Sequence, residues 1–192
     1  MQNIIVDHIS KAYQGKPVLE NLSLEFPARR ITCIMAPSGY GKTVLLRILL
    51  GLETADSGTI RGMDGMRISA VFQENRLCEN LSALANVMLV SPTLLKADAL
   101  TALTRVGLAD NADQTVKTLS GGMRRRVALV RALMAEQDVL LMDEPFKGLD
   151  LETKQQVMTV TLDECRNKTV IMTTHDPAEA EHMASGGILR LG

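Results

Sequence analysis

The sequence predicts an α/β fold with a mixed sheet, an N-terminal antiparallel β subdomain and an inserted helical subdomain. Short apolar segments at 31–35, 139–142 and 169–173 have the length and composition of buried parallel strands, and segments of helical periodicity separate them. Residues 22–26 instead alternate with a period of two, as in a half-buried antiparallel strand. From about residue 80 to residue 118, leucine and valine recur at helical spacing, which indicates a helical insertion.

The chain length bounds the number of domains. Its 192 residues are enough for one large domain or for one domain with a subdomain. We expect a single domain over 1–192, in which 1–79 and 119–192 form the core and about 80–118 the helical subdomain. In this prediction the helix that follows residue 120 continues to about residue 135.

Local signals place the remaining elements of the first half. A buried helix is predicted at 44–52, directly after the first apolar strand and its glycine-rich turn. Residues 57–73 return to strand-like alternation, and Asp64-Gly65 within them is a hairpin-turn signal. We therefore expect two strands joined by a tight turn at this place.

The second half closes with three further elements. A helix is predicted at 151–165 and a last strand at 188–191. Between them, a short helix begins with Asp176 as cap, Pro177 in the first turn and Glu179 closing a capping box.

Composition excludes several classes of function. The net charge of -1 and the absence of Trp argue against a nucleic-acid-binding surface. The three cysteines are far apart in sequence, which predicts idle thiols of a reducing compartment and neither a disulfide framework nor a metal site. The N-terminus lacks a basic n-region, so we expect no signal peptide, and no run approaches the ~18 apolar residues of a membrane span. Any work at a membrane is therefore expected to involve a partner.

Residues 36–43, Ala-Pro-Ser-Gly-Tyr-Gly-Lys-Thr, have the features of a phosphate-binding loop between a strand and a helix. Gly39 and Gly41 let backbone amides turn toward a phosphate without obstruction by a Cβ. Lys42 has the reach to contact the β- and γ-phosphates, and the Thr43 hydroxyl is a ligand for Mg²⁺. Nucleotide binding is the function that this loop predicts.

Two carboxylates, Asp143 and Glu144, follow the apolar strand at 139–142. Ligands of open α/β sheets bind at the carboxyl ends of the strands, where both residues are expected. Asp143 suits Mg²⁺, directly or through water. Glu144 is placed to orient or deprotonate an attacking water.

A second glycine turn, Leu-Ser-Gly-Gly-Met at 119–123, opens the helix that begins near residue 120. Small residues at a helix start leave backbone N–H groups available to an anion, so the chain has two phosphate-seeking turns. Arg124, Arg125 and Arg126 come next. Like charges near a helix N-terminus oppose its dipole, which favours a solvated basic face over a contribution to phosphate binding.

Three further residues lie where a nucleotide site would need them. Gln73 and His175 each follow a predicted strand, where the amide and the imidazole are within reach of a metal, a water or a phosphate. Tyr13 has a ring that can stack on a base. Taken singly, each is an ordinary loop or surface residue.

Together and in this order, the motifs resemble the nucleotide-binding subunit of ATP-binding cassette (ABC) transporters over nearly the whole chain. The LSGG turn is the feature that separates this family from other phosphate-loop proteins. The resemblance also implies a P-loop NTPase core. The matched positions are Tyr13 for the adenine-stacking aromatic, 36–43 for Walker A, Gln73 for the Q-loop, 119–123 for the signature, Asp143 and Glu144 for Walker B, 148–150 for the D-loop and His175 for the switch histidine.

The resemblance implies that ATP and Mg²⁺ are the cofactors and that the chain is an ATPase. The implied nucleotide-contacting residues are Tyr13, Ser38, Gly39, Tyr40, Gly41, Lys42, Thr43, Ser120, Gly121, Gly122 and Asp150. The implied metal ligands are Thr43, Gln73 and Asp143. The implied catalytic residues are Glu144, His175 and Gln73.

The resemblance also implies partners. The family forms a head-to-tail dimer, of two copies or of homologous subunits, in which Ser120 and Gly122 of one chain close on the γ-phosphate held by the other. Transmembrane permease subunits and an extracytoplasmic solute-binding protein are expected in the full system, with the segment from Glu74 to about Val90 receiving the membrane partner. The chain is then cytoplasmic and peripheral on the inner face of the membrane. The Met123-Arg124 form of the signature and the short chain resemble the importer branch for nitrate, sulfonate or similar solutes.

Departures from the family pattern leave two alternatives open. Ala36 replaces the first Walker A glycine, Met123 the signature glutamine, and Lys147 a small residue before the D-loop. The first alternative is a soluble ABC-type ATPase that acts on nucleic acid or ribosomes, although its usual insertions are missing from this sequence. The second is a regulatory nucleotide-binding module with little hydrolysis, which Ala36 motivates.

Overall fold

The structure is a computed structural model that describes residues 2–37 and 39–191. These residues form two compact units. The first takes Met1–Ile68, Asp138–Glu144 and Asn167–Gly192, and the second takes Ser69–Gln137 and Pro145–Arg166. Our division at about residues 80 and 118 stays a prediction.

An antiparallel sheet of three strands lies in the first unit, with the order β2-β1-β4. Its strands are β1 (Ile4–Tyr13), β2 (Lys16–Phe26) and β4 (Ser57–Arg61). Ile4, Val6 and Ile9 of β1 are fully buried, and an irregularity in the pairing between Val6 and Ile9 keeps apolar side chains on the inner face.

The turn predicted at Asp64-Gly65 is present and lies between two strand segments, as the alternation at 57–73 predicts. The strand before that turn, β4, pairs with β1, with Val6 opposite Ile60. The strand after it, β5 (Ile68–Val71), is not in that antiparallel sheet. Period-two alternation reports that a strand has two different faces, but it does not report which strand is the neighbour.

Four parallel strands of the first unit lie in the order β6-β7-β3-β8. They are β3 (Ile31–Met35), β6 (Val139–Asp143), β7 (Thr169–Thr174) and β8 (Gly187–Arg190). The central strands β6 and β7 are buried at every position, as the apolar composition predicts for a sheet that is covered on both faces. Register pairs Met142 of β6 with Met172 of β7, and Ile34 of β3 with Thr173.

Two helices belong to the first unit, α1 (Lys42–Leu49) and α6 (Pro177–Met183). Helix α1 begins two residues before the predicted start and ends three residues early, because the positive φ of Gly51 (68°) interrupts the helical backbone. Helix α6 has the predicted cap: the Asp176 carboxylate accepts from the backbone N–H of Ala178 at 3.0 Å.

The second unit is mainly helical. Its helices are α2 (Ala83–Met88), α3 (Lys96–Arg105), α4 (Gly121–Met134) and α5 (Leu151–Glu164), with 3-10 turns at Ala109–Asn111 and Val116–Thr118. Arg105 of α3 forms ion pairs with Asp163 and Glu164 of α5, and buried residues such as Leu103 and Leu129 supply the apolar core.

Cys33, Cys78 and Cys165 are free thiols, and burial raises the pKa of Cys33 to about 12, which keeps it protonated. Within the described residues, no helix is long and apolar enough to cross a membrane.

Candidate nucleotide-binding site

The loop between β3 and α1 is shaped by a glycine that nothing larger can replace. Gly41 is the N-cap of α1 and has φ 77°. A Cβ at this position would lie 2.6 Å from Leu19 Cδ2 and 2.8 Å from the Val18 carbonyl oxygen. Both the left-handed backbone and the close neighbours therefore require glycine at this position. Ser38, a predicted contact of the same loop, lies outside the described residues.

Lys42 is held against this loop by backbone carbonyls. Its side chain is buried, and its Nζ donates to the Ala36 oxygen at 2.6 Å and to the Pro37 oxygen at 3.1 Å. A charge-assisted bond to each carbonyl fixes the ammonium beside the N-terminus of α1, where the helix dipole favours an anion. The loop thus combines an ammonium with helix N–H groups, which is the donor set that phosphate binds.

Asp143, at the end of β6, accepts hydrogen bonds on both carboxylate oxygens. Thr43 Oγ1 donates to Oδ2 and Thr173 Oγ1 donates to Oδ1, each at 2.6 Å, and Asp143 is 5% exposed. Thr43 and Asp143 are a hundred residues apart in sequence, so the parallel sheet is what joins them. Their hydroxyl and carboxylate oxygens are the hard ligands that Mg²⁺ prefers.

Glu144 has an unusual backbone. Its φ is 47°, a left-handed value that is uncommon outside glycine. Its N–H points to Thr173, at 3.1 Å from the carbonyl oxygen and 3.2 Å from the hydroxyl oxygen, which stabilises the turn. A strained backbone of this kind costs on the order of 1–3 kcal/mol and is typical of functional sites.

The same turn brings Glu144 next to His175. The side chain of Glu144 is only 14% exposed, and its Oε1 lies 3.3 Å from Nδ1 of His175, which is 62% exposed. A neutral ring that donates from Nδ1 leaves Nε2 as an acceptor. This pairing of two predicted catalytic residues comes from the adjacent positions of β6 and β7.

The sequence interpretation missed a network that fixes His175 on both sides. Thr174 Oγ1 donates to Oε2 of the buried Glu179 at 2.6 Å, and the N–H of Asp176 donates to Thr174 Oγ1 at 3.1 Å. We predicted that Glu179 closes a capping box with Asp176, and the Thr174 hydroxyl lies between the two and is hydrogen-bonded to both. The only signal for this network in the sequence is an acidic residue in the first turn of the helix.

Two predicted nucleotide contacts carry exposed aromatic rings. Tyr13 ends β1 and is 42% exposed, and Tyr40, in the loop, is 45% exposed. The Tyr13 hydroxyl donates to Glu53 Oε1, and this hydrogen bond is the main cause that raises the pKa of Tyr13. Lys11 Nζ lies 5.5 Å from the centre of the Tyr13 ring. The ring of Tyr13 is thus held in place while much of it stays open to solvent.

The remaining predicted residues, Gln73, Ser120, Gly121, Gly122 and Asp150, lie in the second unit. Ser120 is exposed and caps α4, because its hydroxyl accepts from the Met123 N–H at 3.3 Å. A Cβ on Gly121 would meet no atom within 4 Å among the described residues. The fold of this chain therefore does not itself require glycine at position 121.

The D-loop residues lie beside this turn. A Cβ on Gly122 would come within 3.5 Å of Leu149 and 3.7 Å of the Gly148 oxygen. Asp150 caps α5 by accepting from the Thr153 N–H at 3.0 Å, and this bond is the first cause that lowers the pKa of Asp150. Gln73 is exposed and follows β5.

The predicted solvated basic face at Arg124, Arg125 and Arg126 is wrong. Arg124 donates to the oxygens of Leu119 and Lys117, at 3.0 and 2.6 Å. Arg126 donates to the Val106 oxygen at 2.7 Å, and Arg125 is 4% exposed. A run of charges in sequence carries no information on which backbone carbonyls lie near it. Carbonyl oxygens bind all three guanidinium groups, from the preceding turn for Arg124 and from distant segments for Arg125 and Arg126.

A model of the ABC transporter family matches residues 19–147. The chain belongs to this family. It is 37% identical to the thiamine import ATP-binding protein ThiQ of Chelativorans sp. over 94% of this chain and 80% of that protein. It is 39% identical to the aliphatic sulfonates import ATP-binding protein SsuB 2 of Agrobacterium fabrum (88% and 69% covered). It is 36% identical to the taurine import ATP-binding protein TauB of Yersinia pestis (90% and 73% covered).

Solved structures of ABC cassettes have the same fold. One is the dimeric post-hydrolysis state of the ATP-binding cassette MJ0796 bound to ADP and Pi, with a TM-score of 0.82 and 25% identity over 96% of this chain and 95% of that chain. The other is the dimeric structure of the same bacterial ABC transporter cassette, with a TM-score of 0.84 and 27% identity over 97% and 94%. The predicted family and the predicted α/β P-loop fold class are confirmed, and the sulfonate and taurine relatives agree with the predicted importer branch.

Proposed function

We propose that this chain is the ATP-binding and ATP-hydrolysing subunit of an ABC importer and powers solute transport through separate membrane subunits. One observation carries the proposal: the loop that holds Lys42 is joined through Thr43 to Asp143, and the next residue, Glu144, has a strained backbone and contacts His175. A phosphate cradle, a magnesium-binding carboxylate and a base are the parts that phosphoryl transfer to water requires. The import relatives supply the transport context.

The backbone amides of residues 38–43 and the Lys42 ammonium would hold the β- and γ-phosphates of ATP. The exposed ring of Tyr13 would stack on the adenine, and Tyr40 would lie beside the phosphates. These groups orient the nucleotide so that its γ-phosphate faces the end of β6.

Thr43 and Asp143 fit a magnesium ion that arrives with the nucleotide. They offer two oxygens already 2.6 Å apart, and among the described residues there is no cluster of three His, Cys, Asp or Glu side chains that would hold a metal alone. Mg²⁺ commonly uses one or two carboxylates together with substrate phosphates, and it neutralises charge on them. The role of Gln73 as a further metal-facing residue is part of the proposal.

Glu144 would accept the proton of the attacking water. Its side chain is only 14% exposed and lies next to His175, so the carboxylate is held in place at the end of β6. As an imidazolium, His175 would donate to this carboxylate from Nδ1 and to the γ-phosphate from Nε2. Gln73 would help to position the water and sense the γ-phosphate.

Ser120, Gly121, Gly122 and Asp150 would serve the nucleotide of a second copy or a homologous subunit in a head-to-tail dimer. The support is that a Cβ on Gly121 would meet no described atom within 4 Å, whereas a closely approaching phosphate would require glycine there. The cassette of similar fold is dimeric in both of its structures.

The proposed full system contains transmembrane permease subunits and an extracytoplasmic solute-binding protein. The segment from Glu74 to about Val90 would contact the permease. The chain itself would then lie in the cytoplasm against the inner face of the membrane, and we propose no nucleic-acid partner.

Steady-state phosphate release from ATP, with Glu144→Gln as the control, tests the proposal. We expect the wild type to hydrolyse ATP and Glu144→Gln to lose at least ~100-fold in kcat while it still binds ATP. Equal rates for the two proteins would overturn the enzymatic function. The regulatory nucleotide-binding module would then be the better account.

A further inference from the structure

Arg125 is the one member of its arginine run that is fully buried, at 4% exposure. Its Nε donates to the Pro145 oxygen at 2.9 Å. Its Nη1 donates to the Phe72 oxygen, and lies 3.3 Å from the Gln73 oxygen and 3.4 Å from Asn75 Oδ1. A single guanidinium thus connects two chain segments more than seventy residues apart.

Both segments adjoin residues with proposed roles in hydrolysis. The backbone carbonyl of Gln73 accepts from Arg125, so the backbone that carries the Gln73 side chain is held in place. Pro145 directly follows Glu144, so the carbonyl that Arg125 holds is one peptide away from the proposed base. At Phe72, Gln73 and Pro145 the acceptors are backbone carbonyl oxygens, so these contacts act on the backbone.

We propose that Arg125 is a positioning residue that fixes the backbone at Gln73 and at Pro145, and through them the side chains of Gln73 and Glu144, for ATP hydrolysis. This inference rests on the proposed function. The planar fork of arginine suits the task because Nε and Nη1 reach two acceptors at once in a fixed geometry. A lysine offers a single point of charge and cannot hold both carbonyls in the same way.

Arg126 provides a matched control on the same helix. It also donates to backbone carbonyls, at 2.7 Å to Val106 and 3.3 Å to Gly107, and it is also partly buried. These acceptors are far in sequence from Gln73 and from Glu144. Loss of Arg126 therefore removes comparable hydrogen bonds without releasing the two segments in question.

The first experiment separates kcat from KM for ATP in Arg125→Met, Arg125→Lys and Arg126→Met. For Arg125→Met we expect kcat to fall about tenfold or more, because small misplacements of reacting groups are costly, with KM for ATP and nucleotide affinity within about twofold of the wild type. Arg125→Lys is expected to lower kcat less, also at unchanged KM. Arg126→Met is expected to keep kcat, once rates are corrected for the folded fraction from thermal melts.

The second experiment is a double-mutant cycle of Arg125→Met with Gln73→Ala. If Arg125 acts through Gln73, the fold-loss of kcat in the double variant is smaller than the product of the fold-losses in the two single variants, by about threefold or more. If the effect of Arg125 is purely structural, the fold-loss of kcat in the double variant equals the product of the two single fold-losses. Arg126→Met combined with Gln73→Ala is the reference for independent effects.

The outcomes are distinguishable. If the wild type shows no turnover that depends on Glu144, the proposed function fails and this inference fails with it. Turnover that depends on Glu144 leaves the proposed function standing. In that case the inference alone is overturned if Arg125→Met keeps the wild-type kcat, or if its fold-loss of kcat and that of Gln73→Ala simply multiply in the double variant. Should Arg125→Met not fold, the folded Arg125→Lys decides: a lower kcat at unchanged KM supports the proposal, and a wild-type kcat overturns it.

Discussion

The two glycine turns of this chain look alike in sequence but differ in structure. The turn before α1 is capped by Gly41 in a left-handed conformation without a side-chain bond, and its glycine is enclosed by Val18 and Leu19. The turn before α4 is capped by the Ser120 hydroxyl, and Gly121 belongs to a regular helix with open space around it.

The two turns differ in the reason why glycine suits each position. At Gly41 the fold of the chain demands glycine, so the loop has its shape before any ligand arrives. At Gly121 no described atom makes such a demand, and we propose that glycine there leaves room for the nucleotide of a second subunit. We propose that the first turn binds the chain's own ATP and that the second binds the ATP of a partner subunit.

The substitution Ser120→Arg is expected to have the largest effect, and it tests whether the turn before α4 serves a second subunit. A bulky cation at the open turn would block a second subunit, and we expect turnover to fall by roughly 10²–10³-fold, as when a transition-state donor is lost. ATP binding to the isolated monomer should stay within about twofold. Phosphate release and equilibrium binding of a fluorescent ATP analogue measure the two quantities.

Ser120→Asn controls for the capping role of Ser120. Asparagine caps a helix about as well as serine, whereas arginine loses about 1 kcal/mol of cap stabilisation. Thermal melts of both variants separate this loss of stability from the loss of turnover. If monomeric Ser120→Arg no longer binds ATP, the assignment of Ser120 to the opposite subunit is wrong.

Gly41→Ala is expected to have the next largest effect. A left-handed alanine costs about 1–2 kcal/mol, and forcing a Cβ against Leu19 and Val18 costs roughly another 1–3 kcal/mol. Denaturant unfolding should show this loss in the free energy of unfolding, together with weakened ATP binding.

Gly39→Ala is the matched control for that prediction. Gly39 has a similar φ of 88°, but its Cβ would meet no described atom within 4 Å. It should therefore lose only the backbone contribution of about 1–2 kcal/mol. Equal destabilisation of the two variants would show that the enclosure of Gly41 does not matter.

Gly121→Ala should have the opposite sign on stability. Alanine is favoured over glycine within a helix by about 0.8–1.0 kcal/mol, and the site has room for a methyl group. We expect the free energy of unfolding to stay the same or rise, while turnover falls because the methyl group obstructs the partner's phosphate. A destabilised Gly121→Ala would mean that the turn before α4 is as constrained internally as the turn before α1.

The smallest effect is expected at Asp150, which caps α5 beside the second turn. Its folded pKa lies below the ordinary value of 3.8, first through the Thr153 N–H. Its contribution to stability is therefore complete above pH 3.8 and is lost as pH falls through the lower folded pKa. Asp150→Asn keeps a cap without this titration, so its melting temperature should approach that of the wild type as pH is lowered. A constant difference between the two would show that the charge of Asp150 is not what stabilises the cap.

Elements with strong local signals were predicted within a few residues. The strand Ile31–Met35 and the helix that Asp150 caps agree with the sequence interpretation because their signals lie within the segment itself. The strands and the turn at 57–73 were predicted, but the pairing of β4 with β1 was not, because strand pairing is decided by distant residues. The basic face at 124–126 was wrong because backbone carbonyls bind these guanidinium groups. Those that bind Arg125 and Arg126 include the Pro145 and Val106 oxygens, each 20 residues away, and the Phe72 oxygen, 53 residues away.

The candidate site divides in the same way. Lys42 and Thr43 could be predicted from the loop alone, and the order of the motifs identified the family. The contacts of Asp143 with Thr43 and Thr173, and the network from Thr174 to Glu179, could not be predicted, because no periodicity links residues on different strands. The catalytic and binding roles of these residues stay predictions until the variants above are measured.

By itself, the sequence determined which chemical groups this protein has and in what order: two glycine turns, an acidic strand end and a histidine after a strand. These are properties of short segments, set by backbone conformation and hydrogen bonding over a few residues. Only the tertiary structure decided that Asp143 joins Thr43, that Glu144 contacts His175 and that Arg125 is buried between two segments. The physical reason is that burial and long-range hydrogen bonds depend on which strands and helices become neighbours, and no local pattern contains that information.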